Sequence, residues 1–169
     1  PALLPPTNSR PFQSRKWRWK RGDPFFGGAF DASKKMVECA TELSGLSALH
    51  MEFEDVNWTE KFDGIWACAS LLHVSAEDFP AISEKFLWAL KISGAWYMSF
   101  KLGEGERIKG DRLFVDHTDP SLRQAIEPFA RSISLETWET TDLRDGRNSE
   151  KWLNVIATKN LSTTEMTTQ

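Results

Sequence analysis

Cysteine is scarce. Two residues, Cys39 and Cys68, are too few for a disulfide framework and have no metal-ligand spacing around them. A reducing, cytoplasmic compartment is the expectation. Net positive charge is also lacking: the formal charge is −3, which argues against a nucleic-acid binder driven by overall charge. No apolar run approaches the ~20 residues of a membrane span, so no membrane partner is expected. The start shows no charged segment followed by an apolar one, so no signal peptide is read there. His50 and His117 have no neighbours that suggest a metal site. At 169 residues with 40% hydrophobic content, the chain is long enough for one domain with a real core. Its eight tryptophans read mainly as core or rim packing.

The most informative stretch is Phe62–Val74, FDGIWACASLLHV. Ile65–Ser70 carries no charge and no polar–apolar alternation, which reads as a strand buried on both faces of a parallel sheet. Ser75 and Asp78 then stand at capping-box spacing, with Val74 and Phe79 placed as a hydrophobic staple. Buried strand, short turn and capped helix make half of a βαβ unit. In open α/β sheets ligands bind beyond the carboxyl ends of the strands, which puts Cys68–His73 on the rim of a site.

Around this stretch helix and strand alternate. Ser33 caps a helix to about Ser44, with Met36, Val37, Ala40 and Leu43 as its apolar stripe and Gly45 just past its end. Ala48–Phe53 is a short strand candidate. A helix from Ala76 to about Lys91 ends at Ser93-Gly94, and Ala95–Phe100 is a second apolar strand. Lys101–Asp111, glycine-rich and charged, reads as a mobile loop. Asp119 and Pro120 open another helix. Ile133–Glu139 and Trp152–Ala157 form a closing antiparallel pair, with Trp152–Ala157 placed beside Ala95–Phe100. This order calls for an α/β sheet covered on both faces. Residues 1–29 form an atypical segment, proline-rich at first, with a basic run Arg15–Arg21 that reads as a solvated arm or a nucleic-acid contact. Residues 30–160 are the domain, and 161–169 a polar tail.

FDAS at 30–33, FDGIWACASLLHV with its following helix and ISGAWYMSFK at 92–101, and EKWLNVIATK at 150–159 together resemble a family. They are similar to S-adenosylmethionine-dependent methyltransferases of the Rossmann-like class, and among them to the small bacterial enzymes grouped with tellurite-resistance proteins. The resemblance implies a three-layer α/β sandwich with a mainly parallel sheet and an antiparallel last strand, incomplete at the N-terminus. It implies S-adenosyl-L-methionine as cofactor and a small-molecule methyl acceptor. Asp31, with its neighbour Ala32, would hold the ribose hydroxyls, because a carboxylate accepts two donors. Glu52 and Phe53 would contact the adenine. Cys68 and Ala69 would lie beneath the sulfonium. His73 would border the cleft as a candidate general base, and Lys101, Glu104 and Arg107 would serve a substrate loop. Methyl transfer from a sulfonium needs positioning and no metal, since the donor is already activated.

One family feature is absent. The D-x-G-x-G-x-G loop that follows the first strand is replaced by RKWRWKRGDPFFGGAF upstream of Asp31, with no apolar first strand before it. Such a gap exposes sheet edges. The alternative function is a non-catalytic methyltransferase-like binding module that has lost its cofactor site.

Overall fold

The computed structural model describes residues 27–147 and 149–160. The basic run Arg15–Arg21 and the polar tail lie outside them. The chain divides between His50 and Met51 into two compact units.

In the first unit, β1 (Ala29–Asp31) and β2 (Ala48–His50) pair in parallel, joined by α1 (Lys34–Ser44). The helix starts and stops as its sequence dictates. Ser33 Oγ accepts the Met36 N–H at 3.4 Å. Gly45 takes φ +70°, a left-handed turn that glycine adopts without strain, and donates its N–H to Thr41 O at 2.9 Å. The apolar stripe is not buried: Met36 is 54% and Leu43 89% exposed. The strand expected over Ala48–Phe53 stops at His50, because Phe53–Asp55 forms a 3-10 turn.

The second unit is built on β3 (Phe62–Ala67) and β4 (Leu90–Lys101), which run parallel and are joined by α2 (Phe79–Ala89). β7 (Ile133–Thr141) and β8 (Lys151–Lys159) complete a sheet of order β3-β4-β8-β7. β8 lies antiparallel to both neighbours, as expected for Trp152–Ala157, so β3, β4 and β7 share one direction and β8 alone opposes it. Between β4 and β7 the chain forms a hairpin, β5 (Gly105–Lys109) and β6 (Arg112–Asp116), and the short helix α3 (Asp119–Ala125). Thr118 and Ser121 cap α3 reciprocally. The fold is α/β and Rossmann-like.

The core lies on one face of this sheet. Trp96, Met98 and Phe100 of β4 alternate inward beside Leu153, Val155 and Ala157 of β8, all fully or nearly fully buried. α2 covers them with Phe79, Ile82 and Phe86. Phe86 meets Trp96 edge-on at 5.3 Å, and Phe79 meets Phe100 at 5.9 Å. Each such side chain contributes ~1.5–3 kcal/mol by burial.

Four expectations are corrected. Ile65–Ser70 is not buried on both faces: Trp66 is 64% exposed and Cys68 is exposed. β3 has a strand neighbour on one side only among the described residues, and its residues alternate, with Ala67 inward and Trp66 outward, where it stacks on Tyr97 at 3.9 Å. The strand also ends at Ala67, since the chain bends beyond it. Next, α2 is shorter than Ala76–Lys91. Ser75 and Asp78 do bond each other, with the Asp78 N–H donating to Ser75 Oγ at 3.0 Å, but the helix begins only at Phe79, beside Pro80. It ends at Ala89, and Ser93-Gly94 belongs to β4, where Ser93 has φ +63° and a Cβ on Gly94 would stand 2.8 Å from Lys91 O. Finally, Lys101–Asp111 is the end of β4 and the first arm of a hairpin, not a mobile loop.

Candidate functional site

The carboxyl end of β3 is shaped by one hydroxyl. Beyond Ala67 the chain bends through Cys68, Ala69 and Ser70 into a 3-10 turn at Leu71–His73, anchored by buried Leu71 and Leu72. Ala69 has φ +51°, a left-handed conformation that costs a residue with a Cβ ~1–2 kcal/mol. Ser99 of β4, itself buried, holds it there. Its Oγ accepts the Ala69 N–H at 2.9 Å and donates to Cys68 Sγ at 3.7 Å. Strain held by its surroundings at a strand end is a mark of functional sites. The small side chains Cys68, Ala69 and Ser70 leave this tip open to an approaching ligand.

His73 sits at the end of that turn. Its Nδ1 lies 2.7 Å from Leu113 O, so Nδ1–H donates there, and Nε2 has no hydrogen bond among the described residues. Phe114 meets the ring edge-on at 4.8 Å. The candidate general base is therefore tied to the hairpin.

Glu52 and Phe53 precede β3. The Glu52 N–H donates to Asp55 Oδ2 at 2.9 Å, and Phe53 packs edge-on against Phe86 at 5.7 Å. Lys85 Nζ donates to Glu54 O at 3.0 Å, which ties this turn to α2. In the first unit, Asp31 stands exposed at the end of β1. Its Oδ1 accepts the Ser33 N–H at 2.7 Å, while Oδ2 has no hydrogen bond among the described residues. Ala32 O lies 2.9 Å from His50 Nε2, which fixes the turn after β1.

The three substrate-loop candidates take separate places. Lys101 reaches Asp142 Oδ2 at 3.1 Å and Glu150 Oε2, and lies 4.0 Å over the Trp152 ring. Arg107 grips Asp116 with two bonds of 2.8 and 3.0 Å and lies 4.8 Å over Phe114. Glu104 is instead near Thr118 Oγ1, at 3.5 Å. Sequence reasoning missed Asp142, a buried carboxylate that accepts from Arg144, Lys101 and Trp152 Nε1. The Arg144 guanidinium, ahead of the other donors, holds its carboxyl far below the usual carboxylate range, against the opposing effect of burial. Sequence reasoning also missed the hairpin, whose available signal was Gly110-Asp111, a two-residue turn with glycine first. Among the described residues no group of three His, Cys, Asp or Glu side chains is placed to hold a metal ion. No described helix is long and apolar enough to cross a membrane.

No protein-family model matches the sequence, and no curated protein matches it. Solved structures do match. The Burkholderia thailandensis 1,6-didemethyltoxoflavin-N1-methyltransferase, solved with that compound and S-adenosylhomocysteine, superimposes with a TM-score of 0.64 at 15% identity. The match covers 79% of this chain and 60% of that one, so the chain spans about three fifths of the Burkholderia enzyme. A SAM-dependent methyltransferase from Methanosarcina mazei gives 0.63 at 11% identity, over 80% of this chain and 82% of that one. One from Mesorhizobium loti gives 0.60 at 14%, over 78% and 79%. The fold is therefore that of the Rossmann-like S-adenosylmethionine-dependent methyltransferases.

Proposed function

We propose that this chain binds S-adenosyl-L-methionine and transfers its methyl group to a small-molecule acceptor. The observation that carries the reading is the sheet β3-β4-β8-β7 with β8 alone reversed, ending at a strained, open tip of small residues.

Each unit carries residues whose chemistry suits such a cofactor. Asp31 offers a free carboxylate oxygen for a ribose hydroxyl, with Ala32 beside it. Glu52 and Phe53 offer an acceptor and a ring for the adenine. Cys68 and Ala69 bring no bulk that would keep the sulfonium away. When bound, the cofactor supplies an activated methyl group. The protein's part is to hold an acceptor atom in line with that methyl at near-contact distance. His73 Nε2 is the candidate to take the proton from the acceptor, because Nδ1 is already committed to Leu113 O. The reading places the chain in the cytoplasm, where its two free cysteines stay reduced.

The runner-up is a methyltransferase-like binding module without cofactor. It is favoured by one observation: Gly27 and Gly28 directly precede β1, and no D-x-G-x-G-x-G loop stands among the described residues. A calorimetric titration with S-adenosylhomocysteine separates the two. Saturable binding at one site per chain supports the methyltransferase. A folded chain that releases no heat supports the module.

A further inference from the structure

The hairpin carries charges in an arrangement that costs stability. Lys109 and Arg112 stand directly opposite each other across β5 and β6, on either side of the turn at Gly110-Asp111. Like charges at opposed cross-strand positions repel. Neither has a carboxylate partner among the described residues. Arg107 and Phe114 are the next opposed pair that shares this face, two residues along each strand. One side of the hairpin thus presents three cations around an aromatic ring.

A cleft of about 440 Å³ opens against this face. Lys101, at the carboxyl end of β4, lines it, as do Arg147 and Glu150 of the segment between β7 and β8. Five cationic side chains and two carboxylates, Asp111 and Glu150, surround it, in a chain whose net charge is −3. The cations divide by partner. Lys101 is neutralised by Asp142 and Glu150, and Arg107 by Asp116. Lys109, Arg112 and Arg147 have no ion pair among the described residues. The buried Asp142 bonds Arg144 and Lys101 together, so it holds the Arg147 segment against the end of β4. The cleft volume suits a small molecule. Three cations without an ion pair, two of them guanidinium groups and one, Arg147, also within the field of Glu150, suit a doubly charged oxyanion, which guanidinium groups bind with paired hydrogen bonds.

We propose that this cleft binds a small molecule bearing a phosphate monoester, with Lys109, Arg112 and Arg147 on the phosphate and Phe114 against the organic part. That this molecule is the methyl acceptor rests on the function proposed above. The cleft lies at the carboxyl end of β4, and Phe114 touches both the cleft and His73.

The test is a titration of 15N-labelled protein with phenyl phosphate, followed at the amides of residues 107–114 and of Arg147. Saturable shifts confined to those residues are expected. The double substitution K109Q/R112Q, on exposed side chains, should weaken binding about tenfold or more, since a charge-assisted bond is worth well over one factor of ten. It should leave the melting point unchanged or raised, because it removes a repelling pair. Three results would overturn the proposal: no saturable shifts, equal affinity in the double variant, or benzoate bound as tightly as phenyl phosphate. Tight binding of a single-stranded oligonucleotide at the same amides, with phenyl phosphate ignored, would also overturn it in favour of a nucleic-acid surface. S-adenosylhomocysteine is titrated alongside. If it binds and phenyl phosphate does not, this inference fails alone. If phenyl phosphate binds and S-adenosylhomocysteine does not, the phosphate cleft stands and its role as acceptor site falls.

Discussion

Replacing Ser99 with alanine tests how the tip of β3 is made. Ser99 is 2% exposed, and its hydroxyl satisfies the Ala69 N–H at 2.9 Å. Without it, a partly buried N–H loses its partner, at a cost of ~1–2 kcal/mol within the range for such groups. Against a total stability of ~5–15 kcal/mol this is a large share. It corresponds to a fall in Tm of roughly 2–8 °C for a chain of this length. Ala69 is then free to leave φ +51°. The companion change Ala69→Gly relieves ~1–2 kcal/mol of left-handed strain and adds ~0.5–1 kcal/mol of chain entropy cost, so alone it is neutral to mildly stabilising. In the double variant the tip has already relaxed, and the glycine gains less. Urea denaturation of the four proteins measures this. A coupling of at least about 0.5 kcal/mol is expected for residues in contact. Ser99→Ala indistinguishable from wild type, with strict additivity in the double variant, would refute the argument.

Other expectations follow from the same geometry. Phe86→Ala, in the buried seam against Trp96, should cost ~3–5 kcal/mol, whereas Trp66→Ala should cost only the ~0.5–1.5 kcal/mol of its stack on Tyr97; equal losses on urea denaturation would show that Trp66 is core. Ser83 is fully buried and its hydroxyl has no partner among the described residues, so Ser83→Ala should raise stability by ~1 kcal/mol, and a loss would mean that the hydroxyl is bonded. Burial pushes the His117 pKa below its ordinary 6.5, with the Asp116 charge opposing more weakly. The folded state then binds fewer protons than the unfolded one, so stability should fall as pH drops below about 6.5 and His117→Gln should flatten that fall; an unchanged slope would contradict it. Asp142 is depressed from 3.8 by its donors, so its contribution should be full above that value and be lost as pH falls further, and Asp142→Asn should remove this acid-side slope.

Much of the framework was legible because local chemistry and packing agree. Ser33 and Gly45 mark the two ends of α1. The alternation of ISLETWE marks β7, the largely apolar WLNVIA marks β8, and the uncharged Ile65–Ser70 run overlaps the second half of β3. What was not legible depended on partners distant in sequence. The uncharged run through Trp66 reads the same whether both faces are covered or one is open, and only the outward stack on Tyr97 decides. The left-handed Ala69 is held by Ser99, thirty residues away, and no local signal announces it. In the hairpin, the charges on both arms masked the turn signal of Gly110-Asp111. Cys68, Ala69 and His73 were singled out only by their place after the central strand. Arg147 escaped notice because only the fold brings it to the face that carries Lys109 and Arg112.

The most direct test of the methyltransferase reading is a titration of S-adenosyl-L-methionine, or its demethylated product, against wild type, Asp31→Ala and Asp31→Asn. Bonds to a charged acceptor are worth ~1.5–3 kcal/mol each, so Asp31→Ala should bind about tenfold or more weakly, with Asp31→Asn between it and wild type. Equal affinity in all three would show that the ribose does not rest on Asp31, and absence of binding by folded wild type would contradict the reading as a whole.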